Sequence, residues 1–514
     1  MVVSPRGAEL NIANGIREFA VATPNAVAVV DGTRLITFAA LYHRACRLAN
    51  ALHDGGLVPG DPVGVLMGNR LEYCEIAAGL ALAGLPMVPV NPRFTTAEAT
   101  YVLTHSGAKG MILDEPLAPI AAAWAMSGRS SCALSTGGTS LGADYEQTLL
   151  SCPTDDPHIS TAETDPFCIA YTSGTTGNPK GVLISHRSRC LTFYATALEW
   201  GLGPSKKTIA VAPMYHGAGF AFGYGAVFVG GTVAMLRSFD ARALLELIQD
   251  FRPSSVFLVP THAQMMRALS DEVVDSFDTS SLDTLYFNAA ALPYPLKQWV
   301  RARFPHVGIH ELYGSTEAGI VTNLRPTAPD KANCVGPAWF MTEIRILDDD
   351  GNDVPNGTAG ELFSRSPYLM NGYLNDDDAT SACTTSDGFL SSGDIAVRDV
   401  DNDVFIVDRK KDLVISGGVN IYPREVEDVL LTHPSVADVA VIGLPHDTWG
   451  EQVTACVVLQ PGAPASAGEL AEHCRRSLGG FKVPRQFAFL DVLPRNAGGK
   501  VLKRELRATI TPHA

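Results

Sequence analysis

The sequence predicts an α/β and α+β multidomain protein: a large N-terminal domain of helix-covered sheets with a β-barrel-like subdomain, then a small α+β C-terminal domain. Three observations carry this. A βα rhythm occupies most of the first 320 residues, turn-rich short apolar runs replace it from 333 to 407, and helix–strand–strand–helix patterning with a basic tail fills the last hundred. At 514 residues, 46% hydrophobic and 18% charged, the chain is long enough for several cores.

Apolar strand-like runs at Ala26–Val30, Pro62–Met67 and Pro86–Val90 alternate with helical patterns at Phe38–His53 and Leu71–Ala83. That is the rhythm of parallel sheet covered by helices. The apolar stretch from Ile76 to Val90 is broken by Pro86 and Pro89 and is too short to span a membrane. It reads as a buried helix leading into a strand. Residues 115–165 are rich in Ser, Thr, Asp and Pro and read as irregular surface connections. The rhythm resumes from 185 to 320. Between 333 and 407, runs such as Glu343–Leu347 and Val404–Val407 are punctuated by Asp-Asp-Asp-Gly, Asn-Gly and Ser-Asp-Gly, the turn chemistry of antiparallel sheet. Then come a helix (Pro423–Leu431), strands (Val436–Ile442 and Gln452–Leu459) and a helix (Ser466–Ser477). The charged string Asp408-Arg-Lys-Lys-Asp412 interrupts two apolar runs and marks the expected boundary between domains 1–410 and 411–514.

Ten scattered cysteines without a C-x-x-C pair, and no visible signal peptide, predict a reduced cytoplasmic protein without a cysteine metal site. A net charge of −15 argues against nucleic acid as a partner. Within 475–507, however, nine basic residues face two acidic ones, a local patch that suits triphosphate or the phosphates of CoA.

The most informative string is Tyr171-Thr-Ser-Gly-Thr-Thr-Gly-Asn-Pro-Lys-Gly181. Glycines let successive N–H groups wrap an anion, hydroxyls add donors and Lys180 adds a full charge. This is a polyphosphate cradle. It is not a Walker loop, because Pro179 precedes the lysine and Gly181 follows it.

The string resembles the phosphate-binding loop of the adenylate-forming superfamily, which includes acyl-CoA and aryl-CoA synthetases. Further matches follow in the expected order: Tyr313-Gly-Ser-Thr-Glu317, Ser392-Gly-Asp394, Asp408-Arg-Lys-Lys-Asp412, Ser416-Gly-Gly-Val-Asn420 and Pro494-Arg-Asn-Ala-Gly-Gly-Lys500. The resemblance extends from about residue 10 to 508. It implies a two-step reaction. A carboxylate attacks the α-phosphate of ATP, forming an acyl-adenylate and releasing pyrophosphate, and a thiol then displaces AMP. The first step is largely placement and charge neutralisation.

The resemblance assigns roles residue by residue. Thr172, Ser173, Gly174, Thr175, Thr176, Gly177 and Lys180 hold the β- and γ-phosphates. Glu317, with Thr172, binds Mg2+, which takes few protein oxygens. Tyr313 packs on adenine, Thr316 contacts the α-phosphate, and Asp394 with Arg409 takes the ribose. Asn288, Ala289 and Ala290 stand where a Gly-Gly-Ala-rich adenine-contacting string is usual. Lys500 bridges the acid and the α-phosphate as the catalytic lysine. Ser416, Gly417 and Gly418 let the pantetheine arm of CoA pass, once a mobile C-terminal domain has rotated about a hinge at Lys411.

His216, Gly217, Ala218, Gly219 and Gly314 line the acyl site, with His216 a second catalytic candidate. The pocket strings contain no arginine, and an unpaired buried charge is unfavourable. They therefore favour a hydrophobic monocarboxylate, fatty or aryl, over malonate-like acids. The expected activity is an AMP-forming acid–CoA ligase using ATP, Mg2+ and CoA. The alternatives are a stand-alone enzyme loading a carrier-protein thiol, a nucleotide binder that has lost catalysis and a luciferase-type oxygenase. Ser-Gly-Gly-Val-Asn favours CoA. A homodimer is allowed, with no residue that specifies it.

Overall fold

The computed structural model describes residues 9–172, 179–328, 331, 333–417, 419–495 and 501–511. Among them the strands form four sheets. Two eight-stranded sheets and a five-stranded one build the large N-terminal domain, and a second five-stranded sheet builds the small C-terminal domain.

In the first eight-stranded sheet, Gly308–Ser315, Thr284–Phe287, Ser255–Leu258, Lys207–Ala210, Thr232–Met235 and Val27–Asp31 run parallel. Antiparallel partners, Gly319–Leu324 and Arg34–Thr37, close its two edges. The second sheet is parallel from Pro166–Thr172 through Met87–Pro89, Val63–Leu66 and Gly110–Asp114 to Cys132–Thr136 and Ala143–Asp144. At the other end it turns antiparallel through Lys180–Ser185 to Gly372–Tyr373. Parallel strands need long crossovers, whereas antiparallel ones join through tight turns. The motif residues Thr172, Lys180 and Thr316 to Glu317 all lie at these antiparallel edges.

The βα rhythm reflects this arrangement. Helix Leu71–Leu82 is buried on every face and leads into Met87–Pro89, as the Ile76–Val90 run predicts. Its two carboxylates are paired rather than solvated. Glu72 meets Arg70 at 2.7 Å and Glu75 meets Arg44 at 2.6 Å. Burying either unpaired would be strongly unfavourable. Helix Gly217–Phe228 is almost wholly buried too, and Phe220, Tyr224 and Phe193 form an aromatic cluster along it. All ten cysteines are free, and no helix among the described residues is long and apolar enough to cross a membrane.

Two expectations need correction. Residues 115–165 are not merely irregular: they contain helix Ala118–Ala125, strand Cys132–Thr136 and helix Tyr145–Ser151. Trp124 and Tyr145 anchor these in the core, at 1% and 0% exposure. Small residues in the first helix and Ser/Gly-rich flanks hide its periodicity. The 333–407 region is antiparallel as expected, but its sheet is an open path from Cys334–Gly336 to Glu343–Leu347. Among the described residues its two end strands do not pair with each other to close a barrel.

Three histidine rings are withdrawn from water in this framework, His186 and His262 buried and His216 half-buried. His186 Nδ1 accepts the Ile12 N–H at 3.2 Å and His262 Nδ1 the Val259 N–H at 3.3 Å; His216 is the third. Burial pushes each ring down to about 4. An unfolded histidine binds a proton near pH 6.5, which the folded one refuses until about 4. Stability is therefore full above pH 6.5 and falls as the pH drops toward 4, by up to about 1.4 kcal/mol per pH unit for each ring. Urea midpoints measured from pH 7 to 5 should fall steadily. A flat profile would contradict the buried neutral rings.

Candidate active site

A cavity of about 940 Å³ opens between the two eight-stranded sheets. One part is walled by the end of strand Gly308–Ser315 and the turn after it, together with Asn288, Ala289 and Thr172; another by helices His186–Trp200 and Gly217–Phe228.

The Tyr-Gly-Ser-Thr-Glu string forms the tight reversal between Gly308–Ser315 and Gly319–Leu324, in which Ser315 pairs with Gly319. Gly314 is required sterically, because a Cβ there would stand 1.9 Å from the Gly319 carbonyl oxygen. The reversal carries Glu317 to the edge of the other sheet. There its Oε1 accepts the Thr172 hydroxyl at 3.2 Å and the Tyr373 hydroxyl at 3.3 Å. Lys180 pairs with Thr172 across the hairpin register. Its ammonium lies 4.8 Å from the Tyr373 ring centre and 3.4 Å from Asp376. One carboxylate among hydroxyls is a hard-oxygen donor set that suits Mg2+ completed by phosphate and water. Sequence reasoning missed Tyr373 and Asp376. The two-residue strand Gly372–Tyr373 extends the phosphate-loop hairpin, and its only signal was turn-rich Asn-Gly chemistry.

Asp394 is 4% exposed and sits opposite Arg409 in register. The Arg409 guanidinium binds one carboxylate oxygen and the Tyr313 hydroxyl donates to the other. Burial and the Asp394 charge hold the Tyr313 hydroxyl well above its ordinary range. A carboxylate has about four acceptor positions, so Asp394 keeps capacity for ribose hydroxyls. Ala289 adopts φ +70°, a left-handed conformation that favours glycine. This is a structural consequence of the departure from a Gly-Gly string. Asn288 and Ala289 line the cavity; Ala290 is not part of the lining.

His216 ends the Pro-Met-Tyr-His approach to helix Gly217–Phe228 and gives that helix no side-chain cap. Its Nε2 is buried without a hydrogen-bond partner among the described residues. Burial, reinforced by Arg93, lowers its pKa to about 4, so the ring is neutral and a weak base. Gly217, Ala218, Gly219 and Gly314 line the cavity. The pocket strings contain no arginine, yet the cavity is not free of them: Arg93, Arg189, Arg237 and Arg495 all line it. They belong to segments outside the pocket strings and reach the cavity only through the fold.

Ser416 and Gly417 lie at the hairpin Val414–Ser416/Val419–Ile421. Gly417 adopts φ +59°, and a Cβ on it would stand 3.0 Å from the Trp449 ring. Neither Ser416 nor Gly417 lines the cavity, whereas Arg495 does. Lys411 is exposed on the short 3-10 turn Lys410–Asp412, and partial desolvation lowers its pKa. Ser173, Gly174, Thr175, Thr176, Gly177, Gly418 and Lys500 lie outside the described residues.

This architecture places the chain in a known class. The AMP-binding enzyme family matches residues 16–374, and the AMP-binding enzyme C-terminal domain matches 425–500. The chain belongs to the AMP-binding enzyme family, within the adenylate-forming superfamily. It is 35% identical to a feruloyl-CoA synthase of Amycolatopsis sp over 94% of this chain and 96% of that protein. It is 32% identical to a 2-succinylbenzoate–CoA ligase of Bacillus licheniformis over 96% and 99%. Among solved structures it resembles ATP-bound MatB from Rhodopseudomonas palustris, with a TM-score of 0.89 at 29% identity over 97% of this chain and 99% of that one. Against the apo form of the same protein, with the same identity and coverage, the TM-score is 0.79.

Gly314→Ala tests the steric account of the reversal. Forcing a Cβ against the Gly319 carbonyl should destabilise the protein by about 1–3 kcal/mol and weaken ATP binding at least tenfold. Thermal unfolding and equilibrium binding read the two effects. An unchanged melting temperature would contradict the close approach.

Proposed function

We propose that the protein is an AMP-forming acid–CoA ligase, activating a carboxylic acid with a largely apolar body, fatty or aryl, as an acyl-adenylate. The observation that carries this reading is the cluster of Glu317, Tyr373 and Lys180 around Thr172, which lines a cavity whose remaining wall is largely apolar and aromatic. An acid and a nucleotide can share that space.

In the first half-reaction, Thr172, Lys180 and the loop between them hold the β- and γ-phosphates. Asp394 and Arg409 fix the ribose, and Tyr313, held by Asp394, borders the adenine. Glu317 and the Thr172 hydroxyl would hold Mg2+, which supplies charge neutralisation on the phosphates. A carboxylate oxygen of the acid attacks the α-phosphorus, the bond to the bridging oxygen breaks, and pyrophosphate leaves with the electron pair. Lys500 supplies positive charge to the acid and the α-phosphate as this occurs, and neutral His216 shapes the entry of the acid, whose carboxylate is already ionised and needs no base.

In the second half-reaction, the thiol of CoA attacks the acyl carbon and AMP departs. Ser416, Gly417 and Gly418 would present the pantetheine arm after the small domain turns about Lys411. The better match to ATP-bound than to apo MatB, and Arg495 at the cavity wall, support a described arrangement suited to the first half-reaction. Such rigid-body alternation gives one site two chemistries.

Lys500→Ala separates the steps. Acid-dependent pyrophosphate release should fall on the order of 10²–10³-fold or more, while thioester formation from supplied acyl-adenylate and CoA persists. Equal loss of both rates would contradict the assignment.

A further inference from the structure

The acid's half of the cavity contains a charge that the general chemistry leaves unanswered. Arg189 lies near the start of helix His186–Trp200, which Ser185 caps. Its guanidinium lines the cavity, with its centre 5.8 Å from the Phe167 ring. Its Nη2 lies 3.9 Å from where a Cβ on Gly217 would stand, so the glycine leaves it room. Arg189 Nε is buried without a hydrogen-bond partner, and no ion pair to Arg189 forms among the described residues. Burial lowers its pKa, and the titratable groups acting on it are the Cys168 and Cys190 thiols rather than a carboxylate.

The surroundings are equally rich in donors. Helix Gly217–Phe228 starts at this wall, and its first backbone bond is from Phe220 N–H to the His216 carbonyl. The N–H groups of Gly217, Ala218 and Gly219 thus begin the helix without intrahelical acceptors, at its positive end. Two other cavity arginines already have carboxylate partners: Arg237 binds Asp31 at 2.8 Å and Arg495 binds Asp438 at 2.6 Å. An arginine cannot readily shed its charge, and a buried one without an acceptor is unfavourable. The missing acceptor arrives with the substrate if the substrate carries one.

We propose that Arg189 is a specificity-determining residue that binds a second oxygen acceptor on the acid, remote from the carboxyl that is activated. The substrate class is a carboxylic acid with an apolar body, lying against the stacked Phe222 and Phe257 rings, and with a distal carboxylate or hydroxyl. This deepens the acid–CoA ligase reading and rests on it.

The test uses the full-length protein with ATP, Mg2+ and acids matched in body: benzoate, 4-hydroxybenzoate and benzene-1,4-dicarboxylate, and octanoate, 8-hydroxyoctanoate and octanedioate. Pyrophosphate release gives kcat/KM for each. Within at least one series, the wild type should favour an acceptor-bearing acid over its plain counterpart by about 10- to 100-fold, the worth of a charge-assisted hydrogen bond. The preferred arm tells carboxylate from hydroxyl. Arg189→Met should collapse that ratio toward one. No wild-type preference in either series would overturn the proposal. So would an equal loss on plain and acceptor-bearing acids, which would place Arg189 on the reacting carboxylate instead. Should Arg189→Met fail to fold, the wild-type ratios alone decide. Release with plain acids but no preference leaves the ligase reading standing and removes only this inference; no release with any acid removes both.

Discussion

The site depends on one carboxylate shared between two sheets. Glu317 comes from an antiparallel edge of the first eight-stranded sheet, and the hydroxyls of Thr172 and Tyr373 that donate to it come from the antiparallel edge of the second. Tight antiparallel reversals bring neighbouring polar residues to this point, while segments that follow parallel strands supply other cavity residues: Asn288 and Ala289 after Thr284–Phe287, and Tyr215 and His216 after Lys207–Ala210. Gly314 makes the first reversal tight enough, and the pairing of Thr172 with Lys180 places the ammonium beside the hydroxyl.

Charge organises the rest. The chain carries a net charge of −15, yet Arg93, Arg189, Arg237 and Arg495 line the cavity. A cavity built this way favours anionic guests, and a low-dielectric wall strengthens each contact. Asp394 shows the complementary device: Arg409 and the Tyr313 hydroxyl hold an acceptor in place while leaving it lone pairs for a hydroxylated guest. Histidine contributes as a neutral ring, since burial removes its charge at ordinary pH.

Much of this was legible in the sequence, because short motifs encode local geometry. The run Ile76–Val90 is the buried helix leading into a strand that its pattern predicts, and helix Pro423–Leu431 has the bounds its pattern predicts. Periodicity failed where small residues blur it, as in helix Ala118–Ala125. The pocket's electrostatics were illegible for a different reason. Arg189 is separated from Gly217 by a helix and a strand, and only the tertiary fold brings them together. Tyr373 likewise reaches Glu317 only because a two-residue strand is added to a distant hairpin. Motif reading finds the residues proposed to act on the nucleotide, which cluster in strings, but not those proposed to surround the acid, which do not.

The central claim is that one cavity brings an organic acid against the α-phosphate of ATP. Phosphorus NMR of the purified protein with ATP, Mg2+ and a panel of carboxylic acids tests it most directly, since the products reveal which bond breaks. The account predicts AMP and pyrophosphate in acid-dependent amounts, with CoA accelerating turnover. ADP and inorganic phosphate as the acid-dependent products, or intact ATP with every acid tried, would contradict it.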